Sequence, residues 1–305
     1  MRIGLNGGAA SVERMVEQAQ RAEAEGFSAL WYPSAVAGDP VTPMAIAGRA
    51  TTSIELGTAV LQTYTSHPVL QVNRIAAAAM AMGRPGFTLG LGPSHAPVIE
   101  GLYGLSYATA GRHTEEYVEI VAALLHGERV DVTGAELTLR GVQPHPLPQP
   151  VQVLVAALAP RLLRVAGAVA DGTILWMGNA RAVETHVAPR ITKAAADAGR
   201  PAPRIVAGLP VAVHDDVDQA REVAARQFVT YGQLPNYRRI LDHGGVSGPA
   251  EAAIVGDEAS VAAQLQGLLD AGATDIWAAI FPVGDDTSGS RRRTRALLQE
   301  LAAAA

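Results

Sequence analysis

Few side chains in this chain combine reactivity with a placement that could use it, and His95 is the first of them. It closes the run Gly92-Pro93-Ser94-His95, directly after an apolar segment at 86–92 that reads as a strand. An imidazole titrates near neutral pH, so a loop histidine in this position can give or take a proton, although a lone loop histidine can equally be a surface residue. Other chemistries lack their residues. No cysteine is present, which removes thiolate nucleophiles, disulfides and cysteine-ligated metals. The only lysine, Lys193, lies in a polar helical stretch, so a Schiff-base aldolase is disfavoured. No histidine precedes His67, which argues against the metal hydrolases that need a His-x-His after their first strand, and no metal site is expected. The first six strand ends also offer no facing carboxylate pair of the kind a glycosidase uses.

The elements that would position His95 alternate regularly. Strands are expected at 2–6, 28–32, 54–60, 86–92, 151–156, 172–176, 204–213 and 275–281, and helices at about 11–25, 42–50, 68–82, 112–126, 161–169, 180–198, 216–231 and 290–303. Residues 232–272 read as mostly helical, with Gly244-Gly245 as a break. Residues 127–150 look like an insertion after the fourth βα unit, with a hairpin of 129–132 and 136–139 around Thr133-Gly134-Ala135. Eight strands trading places with helices predict an α/β fold, a closed parallel (β/α)8 barrel, in one domain over 1–305. A doubly wound sheet is the alternative, but it would place a Gly-x-Gly-x-x-Gly turn after the first strand. Here that turn is Asn6-Gly7-Gly8-Ala9-Ala10-Ser11, either a loose phosphate cradle or a tight turn with Ser11 as a helix N-cap.

Barrel enzymes carry their chemistry on the loops after the strands. Those ends offer Asn6; Trp31, Tyr32 and Ser34; Gln62 and Tyr64; Ser94 and His95; Ala156, Ala157 and Ala159; Trp176, Gly178 and Asn179; His214 and Asp215; and Phe281. Such a mouth, aromatic, small and amide-lined with a single histidine, suits a flat ring cofactor that brings its own chemistry. Trp31, Tyr64, Trp176 and Phe281 are candidates for an apolar substrate pocket, with core packing the alternative for each, and Tyr103 and Tyr107 could belong to a lid. Composition agrees with a compact, core-forming chain: 49% hydrophobic, 17% charged, net charge −5. That charge gives no footprint for nucleic acid, and Arg291-Arg292-Arg293 reads as a solvated helix start. Without a signal core or a long apolar span, no membrane partner and a cytoplasmic location are expected.

Several runs resemble luciferase-like monooxygenases. They are Ala22-Glu23-Ala24-Glu25-Gly26-Phe27, Leu30-Trp31-Tyr32-Pro33, 54–60 (Ile-Glu-Leu-Gly-Thr-Ala-Val), His67-Pro68-Val69, 83–92 (Gly-Arg-Pro-Gly-Phe-Thr-Leu-Gly-Leu-Gly), 112–116 and 165–172. The resemblance covers residues 1–180 well and 200–280 more loosely, and it implies a TIM barrel, an oxidoreductase and a homodimer. Within that superfamily the branch using coenzyme F420 is the better match, with FMN as the alternative cofactor. In the F420 branch a non-proline cis peptide after the third strand backs the deazaflavin ring, and the matching residues are Ala59-Val60. The resemblance also puts the cofactor phosphate against the loops at Ala157-Leu158-Ala159-Pro160-Arg161 and Trp176-Met177-Gly178-Asn179, and Asn6, at the end of the first strand, is a further cofactor-binding candidate. A proline opening a helix, with free amides and a dipole behind it, agrees physically with an anion there. Leu158 and Ala159 replace glycines common in that loop. Ser34-Ala35 and His95 stand where better-known F420 dehydrogenases have an Asp-His pair and a glutamate, so their glucose-6-phosphate activity is not carried over. What this implies is an F420-dependent oxidoreductase moving a hydride between the deazaflavin and a small organic substrate, His95 handling the proton. The alternatives are an FMN-dependent monooxygenase and a non-catalytic flavin or deazaflavin carrier.

Overall fold

The structure, a computed structural model, describes residues 1–34 and 38–304; Ala35 of the Ser34-Ala35 position lies outside the described residues. Eight parallel strands form a closed barrel: β1 (Ile3–Asn6), β2 (Ala29–Tyr32), β3 (Glu55–Thr58), β4 (Phe87–Gly92), β5 (Gln152–Val155), β6 (Gly172–Trp176), β7 (Arg204–Val213) and β8 (Asp275–Ile280). Each pairs with its sequence neighbour, β6 with β7 included (Gly172 opposite Arg204), and β8 returns to β1 (Ile3 opposite Ile276) to complete the ring. Closure removes every barrel edge, and the strands are buried on both faces because helices pack outside. The sequence expectation of a (β/α)8 TIM barrel therefore holds, with strands six and seven at the expected bounds.

The barrel is filled by size complementarity. Trp31 points inward from β2 and is 1% exposed, and it fits because the neighbouring strands carry glycine: a Cβ on Gly57 would lie 2.2 Å from its ring, and one on Gly4 2.5 Å. Leu154, Ile174 and Val206 complete this inner cluster. Below it the base is closed by charge. Arg204 donates to both oxygens of Glu55 (2.7 and 2.9 Å) and of Asp275 (2.7 and 3.0 Å), and Arg2 bridges the same two carboxylates.

Three features depart from the sequence expectation. The third strand breaks after Thr58 and resumes as Leu61–Gln62, and the Ala59–Val60 peptide between them is cis, as the resemblance implied. The helix expected over 180–198 is interrupted by a π-turn at Val183–Val187. Within 232–272 a short strand, Ile254–Gly256, adds to β7. The insertion does carry the expected hairpin, Val130–Thr133 with Thr138–Val142, tethered by Glu116, whose carboxylate accepts the amides of Ala135, Glu136 and Leu137 at 2.8–3.0 Å. Among the described residues no helix is long and apolar enough to cross a membrane.

Candidate active site

All eight strands point their C-terminal ends at one cavity of about 510 Å³, a size ordinary for a small-molecule site. Its floor is small and apolar: Ala59, Val60, Gly92, Ala156 and Ala279. The packing leaves no room for a side chain at residue 92, since a Cβ on Gly92 would stand 2.8 Å from Val60 Cγ2 and 3.0 Å from Ala156 Cβ. On one side the loop after β5 (Leu158, Ala159) leads into the helix Pro160–Ala168, whose first turn has no side-chain cap. Its free amides and dipole therefore face the cavity wall, where an anion would satisfy them. Arg161 lies at the same wall, half exposed, and is held by Glu115 at 3.2 Å.

The opposite wall is aromatic. Trp176 at the end of β6 packs on Trp277 of β8 (5.0 Å between ring centres), Tyr231 (5.8 Å) and Phe228 (6.1 Å). Tyr231 meets Tyr237 edge-on at 4.9 Å, and Tyr237 lies 5.5 Å from the ring of His95. Trp277 donates its indole N–H to the Asn6 side-chain oxygen, fixing that amide at the mouth. No carboxylate lines the cavity among the described residues, and Arg239 at the rim is hydrogen-bonded to Asn236. Burial pushes the His95 imidazole below its ordinary value and the Tyr237 and Tyr231 phenols above theirs. His95 is consequently held neutral at pH 7, able to accept a proton.

Of the residues singled out in the sequence, Asn6, Ala59, Val60, His95, Leu158, Ala159, Arg161 and Trp176 come together on this cavity. Ser94, Tyr107 and Ala156 line it as well, and the other site candidates do not reach its wall. Trp31 is the plug beneath the floor. Tyr64 stands behind Tyr107, stacked on His113 at 4.2 Å, and Phe281 backs Phe228 from the core at 5.7 Å. Ala157 is buried with its amide on Thr173 Oγ1, Gly178 is buried against Leu175, and Asn179 caps the following helix turn by accepting from the Ala182 amide. Tyr103 is exposed while Tyr107 lines the cavity. Sequence reading missed Phe228, Tyr231, Tyr237, Asn236 and Arg239, which wrap back over the mouth from the segment after β7, and Trp277, which reaches it from within β8. The signal available was an aromatic cluster at 228, 231 and 237 in an otherwise polar helical stretch.

A closed (β/α)8 barrel with an apolar, imidazole-bearing cavity at the strands' C-terminal ends is a scaffold able to seat a flat ring cofactor. The match to the family model "Luciferase-like monooxygenase" runs over residues 2–303, and the chain belongs to that family. Among curated relatives, it is 25% identical over 247 residues to a 5,10-methylenetetrahydromethanopterin reductase of Methanolobus tindarius, covering 80% of this chain and 75% of the relative. Among solved structures it superposes on an F420-dependent secondary alcohol dehydrogenase in complex with an F420–acetone adduct (TM-score 0.77, 17% identity, 97% of each chain). It also superposes on the oxygenating constituent of 3,6-diketocamphane monooxygenase from Pseudomonas putida in complex with FMN (TM-score 0.71, 14% identity, 99% of this chain and 97% of that one). Both superpositions report the fold.

Proposed function

We propose that the chain is an F420-dependent oxidoreductase acting on a small uncharged or anionic organic substrate, with His95 as the group that takes or gives the accompanying proton. The observation that carries this reading is the cavity itself: a floor of small apolar residues, an uncapped helix start at one end, and one imidazole, its neutral form favoured by burial, on a wall without carboxylates. These groups fit a planar cofactor with an anionic tail. Ala59, Val60, Gly92 and Ala156 would support the ring, Asn6 and Trp176 would edge it, and Leu158, Ala159 and Arg161 would hold the phosphate. When bound, a deazaflavin supplies hydride acceptance or donation. The chain's own residues do the remainder. Trp176, Tyr231 and Tyr237 exclude water and confine the substrate, and His95 accepts or donates the proton at its ring nitrogen. A carboxylate-free wall also leaves no partner for a cationic substrate.

The test is a parallel fluorescence titration of the protein with F420 and FMN at matched ionic strength. Tight F420 and weak FMN binding supports the proposal; the reverse order favours an FMN-dependent monooxygenase. Binding without turnover across alcohol and carbonyl substrates identifies a carrier, and binding of neither cofactor refutes the cofactor assignment. We further propose a homodimer through the helices Val41–Arg49 and Pro68–Met82. Their outer faces expose Ile46, Leu70 and Met80, a set of apolar side chains that a partner would cover, and sedimentation velocity measures it.

A further inference from the structure

Among the described residues Ser94 is one of two non-glycine residues with positive φ, at 62°, the other being Met177. An L-residue other than asparagine or aspartate enters this region at a cost, and it persists there only where the surroundings over-determine it. At Ser94 the backbone leaves β4 in the left-handed conformation and becomes extended at His95 (φ −133°, ψ 146°). From there His95 caps the helix Ala96–Gly101, its carbonyl accepting the amides of Val98 and Ile99 at 2.9 and 3.0 Å. The reversal at residue 94 is thus what separates the strand from the helix and leaves the His95 ring on the cavity wall. The surroundings hold the turn through one hydrogen bond of good length: the Tyr107 hydroxyl donates to the Ser94 carbonyl at 2.7 Å.

Tyr107 comes from the segment that precedes the helix Ala110–Leu125, and its ring lines the same cavity. Its own position is fixed from behind. Tyr64 packs on it at 5.8 Å and is in turn stacked on His113, while the Tyr107 amide donates to Glu100 Oε1 at 3.2 Å. Burial, reinforced by Tyr64, pushes its phenol up to about 12, so the hydroxyl keeps its proton, and its capacity to donate, throughout the physiological range.

Given the proposed role of His95, we infer that Tyr107 is a positioning residue: its hydroxyl holds Ser94 in the left-handed conformation and so sets the direction in which the His95 ring enters the cavity. It acts through the backbone of residue 94. Deleting the hydroxyl while keeping the ring leaves the αL conformation without its tether. The turn then relaxes toward ordinary φ, and the imidazole leaves its half-buried place beside Tyr237. The titratable and charged groups on the walls that face His95 are Tyr107, Tyr231, Tyr237, Arg161 and Arg239, and apart from Tyr107 itself none is altered by that change.

The experiment is a pH titration of ¹⁵N-histidine-labelled protein by long-range ¹H–¹⁵N spectroscopy, the His95 signal being assigned by its loss in His95→Ala. In Tyr107→Phe the His95 midpoint is expected to move upward, toward the ordinary histidine value, with the thermal unfolding midpoint little changed. Adding Ser94→Gly, which makes positive φ permissible without a tether, is expected to return the midpoint toward that of the parent chain. A His95 titration unchanged in Tyr107→Phe overturns the inference, and so does a shift that Ser94→Gly leaves in place, since the hydroxyl would then act other than through this turn. Full turnover in His95→Ala would remove the proton role proposed above while the spectroscopic result still decides the positioning role.

Discussion

Replacing Arg204 with methionine tests the charge closure at the base of the barrel. The guanidinium is 12% exposed and makes four hydrogen bonds to two carboxylates that are themselves 11% (Glu55) and 4% (Asp275) exposed, and it lies over the Trp31 ring at 5.5 Å. Methionine leaves both carboxylates in place with Arg2 as their remaining cation, and Arg2 is 54% exposed and contacts each through a single bond. Removing one partner of a buried ion pair costs about 3–5 kcal/mol, and loss of the cation–π contact adds about 1 kcal/mol. We expect a loss of about 4 kcal/mol at pH 7 by urea unfolding with linear extrapolation, without a change in m. The pH dependence carries the sign. Burial pushes the Asp275 carboxyl up, but hydrogen bonds and charge from Arg204 outweigh it and hold the group below the ordinary carboxylate value. A depressed folded pKa contributes stability that is present above the unfolded pKa and lost as pH falls through the folded one. In Arg204→Met that depression is removed and Asp275 titrates higher, so part of the deficit is relieved by protonation and the gap to the parent chain narrows as pH falls through and below the ordinary carboxylate range. A loss below about 1 kcal/mol at pH 7, or a gap that widens on acidification, would refute this account of the base.

Three further predictions follow from individual contacts. Because burial lowers the His95 pKa, the rate in the proton-accepting direction should stay flat from pH 8 to pH 7 and fall only below the ordinary histidine range; His95→Ala should abolish that acidic limb and lower turnover by about 10²–10⁴, as pH–rate profiles will show. Gly57→Ala places a Cβ 2.2 Å from the Trp31 ring and should destabilise by about 1–3 kcal/mol in urea unfolding, whereas Gly101→Ala, where a Cβ meets nothing within 4 Å, should not. Glu23 accepts the amides of Thr52, Ser53 and Ile54, and despite burial these bonds bring its carboxyl down to about 2. Its contribution is therefore present above the ordinary carboxylate range and lost as pH falls toward 2, and Glu23→Gln should flatten the acid limb of the stability curve and speed amide exchange at 52–54.

The fold was legible because a parallel barrel writes its period into the chain. Apolar runs at 172–176 and 204–213 coincide with β6 and β7, since strands buried on both faces need continuous apolar sequence and end where it ends. The misreadings occur where local pattern and tertiary demand diverge. Apart from Glu55, residues 54–60 are apolar or small, so their pattern alone does not mark the break after Thr58. The stretch 180–198 reads as one helix except at Pro189, which lacks an amide and falls just after the π-turn at Val183–Val187, the one residue type there that signals the interruption.

The site was legible only where position along the chain equals position in space. Strand ends converge by construction, so Asn6, His95, Leu158, Ala159 and Trp176 could be gathered from sequence order alone. Direction at the strand end is a separate matter: Trp31 and Trp277 are both inward-facing tryptophans. Trp31 stands opposite Asn6 yet turns its ring back between Gly4 and Gly57, whereas Trp277 stands opposite Gly4 and Gly208 and turns its ring to Asn6. Which of the two lines a pocket depends on the rotamer each ring takes among its neighbours, which local sequence does not record. The same holds for the aromatic roof. Tyr231 and Tyr237 contribute because the segment after β7 folds back across the mouth, a long-range event, and the residue types there are compatible equally with core and with cavity. Sequence order therefore gathers the residues proposed to handle the proton and to support a cofactor before those proposed as the substrate wall. It follows that substrate preference in this chain is expected to respond to substitution at Tyr231 and Tyr237, and cofactor affinity to substitution at Ala59, Val60 and Arg161.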